Sequence, residues 1–368
     1  MRRRDFLAGA GTAVVGGLAG CTSGSTGEAT TTTGAEFDPT TTGRTAAPTL
    51  DELPDLAGSL TIYLGRGEGG RYGELLDHFE TELYPDLELS VRRNRSATLA
   101  NSIIVEEEGG TTPADLFWSI DAGSLGAVAR AGLSARLPPD LVGAVPTQFR
   151  DADRRWAGVA GRVRAIPYNA DVVDPADVPE SVAEVPDSPL AGEMGWAPTY
   201  GAFQAFVTAM RLRRGEAATR KWLAGMVEAG TQSYAGEFLV TNAVADGELA
   251  AGFANHYYAL RLQQAKPEAP LELAFTSGDA GSLINVSGAL VPASSENQEL
   301  AANLLRHLHT AEVQQFLADQ AYEYPLVDGV DPPGSLPALE ELEPPAIDLT
   351  RLSDLEATLD LLRAEGVL

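Results

Sequence analysis

Thiols are almost absent from this chain: among 368 residues only Cys21 is a cysteine. One thiol can build neither an internal disulfide nor a cysteine metal cluster. Lysine is nearly missing too, with Lys221 and Lys266 alone, so arginine carries the basic side of the balance. The 26 basic residues face 52 acidic ones, for a formal net charge of −26. Such a surface repels nucleic acid and anionic lipid headgroups, so no nucleic-acid partner is expected. Catalytic signatures are also lacking. There is no Gly-x-Ser-x-Gly elbow, no His-Glu-x-x-His and no phosphate-binding Gly-x-x-x-x-Gly-Lys. The run Gly65-x-Gly67-x-Gly69-Gly70 follows an expected strand, but its spacing does not suit a dinucleotide loop. Histidine is scarce, and His78, His256, His307 and His309 form no ligand pattern. A hydrolase using Asp121 and Glu237 as paired carboxylates would lack a nucleophile and a positioned base. The expectation is a protein that catalyses no reaction.

What is present begins with an address. Arg3-Arg4 followed by Phe6-Leu7 reads as a twin-arginine export signal. Residues 8–19 form an apolar stretch too short to span a bilayer. Leu18-Ala19-Gly20-Cys21 resembles a lipobox, which makes Cys21 the expected lipid anchor and residues 1–21 the signal. Residues 22–55 are rich in Thr, Ser and Gly and read as a flexible tether, with the fold starting near Leu56. The expected location is the outer face of the cell membrane. A carboxylate-covered, lysine-poor surface is similar to that of haloarchaeal proteins adapted to high salt.

Length alone makes two lobes the prior. Strand-like Ser59–Leu64 and Leu87–Val91 flank a helix-spaced Tyr72–Glu82, a βαβ opening that predicts a parallel sheet. Ala114–Trp118 is a third strand. The Val/Ala/Ile run of 161–168 suits a strand crossing between lobes, and 285–291 a second one. Met194–Ala197 reads as a short strand that ends at Tyr200, with helices over 202–212, 217–228 and 237–246. Two sequons, Asn94-Arg95-Ser96 and Asn285-Val286-Ser287, are acceptor matches, the second inside an expected strand.

The chemistry centres on residues 252–261, where Asn255 and His256 precede the adjacent tyrosines Tyr257 and Tyr258. Residues 249–254 read as a buried strand, which puts the tyrosines at its C-terminal end, the edge where open α/β sheets bind ligands. Phenolate is a hard anionic donor suited to a hard, highly charged cation. A free phenol has a pKa of about 10, so only a strongly charged metal holds two as phenolates at neutral pH. Taken alone, the pair is read more simply as two amphipathic residues at a helix start, ring buried and hydroxyl wet.

Further segments change that balance: 61–65 (Thr-Ile-Tyr-Leu-Gly), 112–117 (Thr-Pro-Ala-Asp-Leu-Phe), 131–133, 161–164 (Gly-Arg-Val-Arg), 199–203 (Thr-Tyr-Gly-Ala-Phe), 246–248, 255–258 (Asn-His-Tyr-Tyr), 287–289 and 323–326 (Glu-Tyr-Pro-Leu). In order and spacing the chain resembles the ferric-iron-binding periplasmic proteins of ABC transport systems, over about residues 60–368. The resemblance implies an α/β, two-lobed periplasmic-binding-protein fold of type II. Each lobe is a mixed sheet flanked by helices, joined by crossing strands around a ligand cleft. It implies lobe 1 over 56–160 and 286–335, and lobe 2 over 161–285 and 336–368. It implies Tyr257, Tyr258 and Tyr200 as Fe(III) ligands, with a carbonate-like anion held by Arg66 and Arg162. The implied partners are an ABC permease with its ATPase subunit, and the receptor itself is expected to be a monomer. Three positions depart from the family pattern. Gly67 stands where many members have His, Ile120-Asp121 where many have Glu-Gln, and Glu237 where many have Asn. Asp121, Glu237 and Tyr168 are therefore candidate additional ligands or rim residues. The second reading keeps the receptor and replaces iron with a small organic or phosphorus-containing anion.

Overall fold

A computed structural model describes residues 47–66 and 70–368; the export signal, Cys21 and Gly67 lie outside the described residues. Among the described residues eleven strands form one mixed sheet: β1 (Gly58–Gly65), β2 (Leu87–Asn94), β3 (Leu116–Ser119), β4 (Ala157–Asn169), β5 (Met194–Trp196), β6 (Gln232–Ser233), β7 (Ala251–Gly252), β8 (Ala254–Asn255), β9 (Leu271–Ala274), β10 (Ile284–Leu290) and β11 (Tyr324–Pro325). The order is β2-β1-β3-β10-β4-β7-β5-β6, with β8, β9 and β11 also pairing β4. β1 pairs in parallel with both β2 and β3, as the βαβ opening requires.

β4 is the element the others share. All 13 of its residues are buried, which explains its near-continuous Val/Ala/Ile pattern. Its first half pairs with β10, from Ala157↔Ala289 to Val163↔Ile284, and with β11. Its second half, from Arg164 to Asn169, pairs with β8, β9 and β7. The strand thus passes from one set of partners to another between Val163 and Arg164. β9 and β10 run back along the same strand, so the return lies beside the first crossing. Asn285 of the second sequon sits within that ladder, opposite Arg162.

Helices cover the sheet. Arg71–His78 continues into a π-helical turn at Phe79–Leu83, and Ser96–Glu108 follows β2. Gly201–Arg214 and Glu216–Ala229 pack on each other after β5. The C-terminal stretch is divided between two contacts. A 3-10 turn at Leu349–Ser353 packs on the Ala122–Arg130 helix, and Glu356–Ala364 packs on Gly201–Arg214. The first contact needs Gly126, because a Cβ there would sit 2.8 Å from Thr350 Cγ2.

The start of the fold differs from expectation. The tether was expected to reach residue 55, but Leu50 is completely buried. The Ala47 amide donates to the Asp328 carbonyl at 3.2 Å, and the Leu50 amide to Glu312 at 3.0 Å. One leucine with a place in the core is enough to dock the end of a polar segment.

Candidate metal centre

The tyrosine pair stands where a strand turns into a helix. β8 ends at Asn255, whose backbone is still extended at φ −77°, ψ 143°, and the His256–Ala265 helix begins at the next residue. Tyr257 and Tyr258 therefore occupy its first turn. Gly252 on β7 lets the Glu237–Ala245 helix lie close: a Cβ at that position would strike Val240 Cγ1. Tyr200 arrives from a different segment. It is the N-cap residue of Gly201–Arg214, held by its amide to the Ala197 carbonyl at 2.9 Å.

The two segments converge. The hydroxyls of Tyr200 and Tyr258 are 2.7 Å apart although the residues are 58 apart in sequence. The rings of Tyr257 and Tyr258 lie 4.4 Å apart. A hydrogen bond from Tyr257 reaches Tyr258 as well, and the Asn255 side-chain amide donates to the Tyr257 hydroxyl at 3.2 Å. Burial, first, and then the charge and hydrogen bond of Tyr200 push the Tyr258 phenol far above its ordinary value; Tyr257 offsets a little of this. In this state Tyr258 is protonated. Its ionisation would need a nearby cation strong enough to reverse that desolvation penalty.

Around the trio, two sets of buried charges lie on β4. Arg164 is ion-paired with Glu237, both essentially buried, and stacks over the Phe206 ring at 5.3 Å. The other Glu237 oxygen accepts the Asn255 amide at 3.0 Å. Arg162 meets Glu323 at 4.0 Å, while the Tyr72 hydroxyl donates to that carboxylate at 2.7 Å. Arg261 was not anticipated. Its guanidinium lies 4.8 Å above the Tyr257 ring and 6.0 Å from that of Tyr258. The signal was its spacing, four and three residues after the pair on one helix.

The remaining candidates are placed elsewhere or occupied. Asp121 caps the Ala122–Arg130 helix, accepting from the Ser124 amide at 2.7 Å and the Ser124 hydroxyl at 3.0 Å. That is the ordinary employment of an Asp at a helix start. Glu237, a candidate ligand or rim charge, is fully buried and committed to Arg164 and Asn255. Tyr168 is a core residue opposite Ala251 and Glu272, its phenol raised by burial and then by Glu272 and Asp174. Arg66 is exposed at the end of β1 and lines a cavity of about 290 Å³ with Tyr72, Asp77 and Arg93. His256 faces away from metal chemistry. The Val163 amide donates to its Nδ1 at 3.2 Å, which leaves Nε2–H to donate to the Tyr322 carbonyl at 2.7 Å. Burial pushes its pKa down to about 4. Among the described residues no group of three or more His, Cys, Asp and Glu side chains could hold a metal. The hydroxyls of Tyr200 and Tyr258 are the sequence-expected donors that lie in direct contact.

The sequence model of the bacterial extracellular solute-binding protein family matches residues 111–348. The major ferric iron-binding protein of Neisseria meningitidis is 32% identical over 271 residues, covering 72% of this chain and 81% of that protein. An Fe(3+)-binding periplasmic protein of Serratia marcescens is 27% identical over 286 residues, 77% of this chain and 83% of that one. Iron-bound HitA of Pseudomonas aeruginosa superposes with a TM-score of 0.72 at 29% identity, covering 84% of this chain and 99% of that structure. The shared β4 strand and the mixed sheet on either side of it are the type II periplasmic-binding fold of those structures. The chain is a member of the bacterial extracellular solute-binding protein family.

Proposed function

We propose that this chain is the extracytoplasmic receptor of an ABC importer. It binds ferric iron through the phenolates of Tyr200, Tyr257 and Tyr258 and delivers it to a permease. The observation that carries the reading is the 2.7 Å approach of the Tyr200 and Tyr258 hydroxyls, with Tyr257 joined to them, at the C-terminal edge of the sheet. Three phenolates balance the charge of one ferric ion. The ferric iron-binding relatives support the choice of cargo. Exposed Arg66 and largely buried Arg162 are the proposed holders of a carbonate-like anion that completes the shell. The lobes divide as 56–160 with 286–335 and 161–285 with 336–368, with the Leu349–Ser353 turn of the second resting on the Ala122–Arg130 helix of the first. They close about the β4 crossing when the cargo arrives. Cys21 carries the lipid that keeps the receptor at the outer face of the membrane, and no reaction is catalysed.

The test is direct. Purified protein titrated with ferric citrate develops a phenolate-to-iron charge-transfer colour, and its melting temperature rises with iron concentration. Protein that stays colourless with an unmoved melting temperature refutes the iron reading. A rise with citrate or phosphate alone, without colour, would assign the receptor to an organic or phosphorus-containing anion instead.

A further inference from the structure

Glu237 is among the least exposed carboxylates of the molecule, yet it begins a helix beside the tyrosine site. Burying a charge costs several kcal/mol unless it is paired and fully hydrogen-bonded. Here one oxygen takes the guanidinium of Arg164 and the other takes the backbone amide of Asn255. Asn255 is the last residue before the tyrosine helix, and its side chain donates to the Tyr257 hydroxyl at 3.2 Å. The connection therefore runs from β4 through two buried charges to the backbone that sets the helix start, and on to a phenol oxygen. Arg164 is itself fixed twice. It lies in the β4 ladder opposite Asn255, and its guanidinium rests on the Phe206 ring. Phe206 belongs to Gly201–Arg214, the helix whose N-cap is Tyr200. One buried cation thus touches both tyrosine-bearing segments.

We propose that the Arg164–Glu237 pair is the positioning device of the tyrosine site, holding the Asn255 turn and the Tyr200 helix in mutual register so that the hydroxyls converge before any metal arrives. The inference rests on the proposed tyrosinate site, and it assigns Glu237 a positioning role in place of a ligand or rim role. A pair kept only for stability would be replaceable by apolar side chains of like volume, because such replacements are often neutral or stabilising. A positioning pair would not, because no apolar side chain accepts the Asn255 amide.

The experiment compares two double variants with the wild type. In Arg164→Met with Glu237→Met the charges and the acceptor are both gone. In Arg164→Met with Glu237→Gln an amide oxygen remains to accept from Asn255. Met/Gln is expected to keep a melting temperature near that of the wild type, and Met/Met to stay folded with a lower one, because the buried Asn255 amide is left without an acceptor. The Met/Met variant should lose about 10- to 100-fold in ferric affinity, the range found when a group supporting a metal ligand is removed, and its charge-transfer band should shift. The Met/Gln variant should recover most of that loss. A metal-free crystal structure supplies an independent readout. The Tyr200–Tyr258 hydroxyl contact should open beyond hydrogen-bond distance in Met/Met and persist in Met/Gln. The proposal is overturned if Met/Met retains that contact, or if the two variants bind iron alike. A wild type that gives no colour with iron overturns the cargo reading, while the crystallographic comparison still decides the positioning one.

Discussion

Arg162 and Arg164 stand two residues apart on one strand, share a face of it, and each meets a buried glutamate. The two pairs are built differently. Glu323 approaches Arg162 only to 4.0 Å and takes the Tyr72 hydroxyl with both oxygens. Glu237 is in direct contact with Arg164 and also ties down the turn before the tyrosines. The strand changes partners between these two arginines, from β10 and β11 to β8, β9 and β7. The tyrosine side is thus prepared in advance, with phenols already in contact and their backbone anchored. On the other side, Arg66 remains exposed and Asp121 is used as a helix cap. In the proposed receptor this asymmetry would give one preformed half-site to select the ion, and one half that completes the shell late.

Single substitutions break the comparison unequally. Arg164→Ala strands the Glu237 carboxylate in a dry site and should cost roughly 3–5 kcal/mol, read from urea unfolding. Loss below 1 kcal/mol would mean that water reaches Glu237. Acid has the next effect. His256 and His309 are buried and held neutral, with pKa values of about 4 against 6.5 when exposed. As pH falls through 6.5 toward 4, the unfolded chain takes up protons that the folded chain refuses. The stability these groups contribute is full above about 6.5 and is lost across that window, up to about 3 kcal/mol for each. A stability curve that is flat from pH 7 to 4 would contradict the neutral assignment. Arg162→Ala should cost less than Arg164→Ala, about 1–3 kcal/mol, because Glu323 keeps its Tyr72 hydroxyl. Equal costs would erase the distinction between the pairs. Asp121→Ala should remove only the helix cap, about 1 kcal/mol, and leave ferric affinity unchanged. A large affinity loss would return Asp121 to the metal site.

Much of this was legible in the residues. The βαβ opening, the long apolar crossing strand and the placement of Tyr257 and Tyr258 at a strand end all follow from local pattern, and the structure has them there. Asp121 could have been read as a cap, since it stands directly before a run of helix-forming small residues with Ser124 three positions on. The Arg164–Glu237 pair could not. Its members are 73 residues apart, and only the sheet register that sets Arg164 opposite Asn255 brings them together. Arg162 and Arg164 look alike in sequence, and nothing local signals that each meets a buried glutamate. The docking of Leu50 was hidden for a similar reason: the carboxylate that accepts its amide, Glu312, is 262 positions away.

Three phenol oxygens are proposed to share one ferric ion. The most direct measurement is an iron titration, followed by charge-transfer absorbance, of the wild type and of Tyr200→Phe, Tyr257→Phe and Tyr258→Phe. One equivalent of iron should saturate the wild type, and each variant should lose intensity and bind more weakly, by more than the roughly 100-fold attainable by a merely supporting residue. A variant at any of the three positions that titrates like the wild type would contradict the shared site.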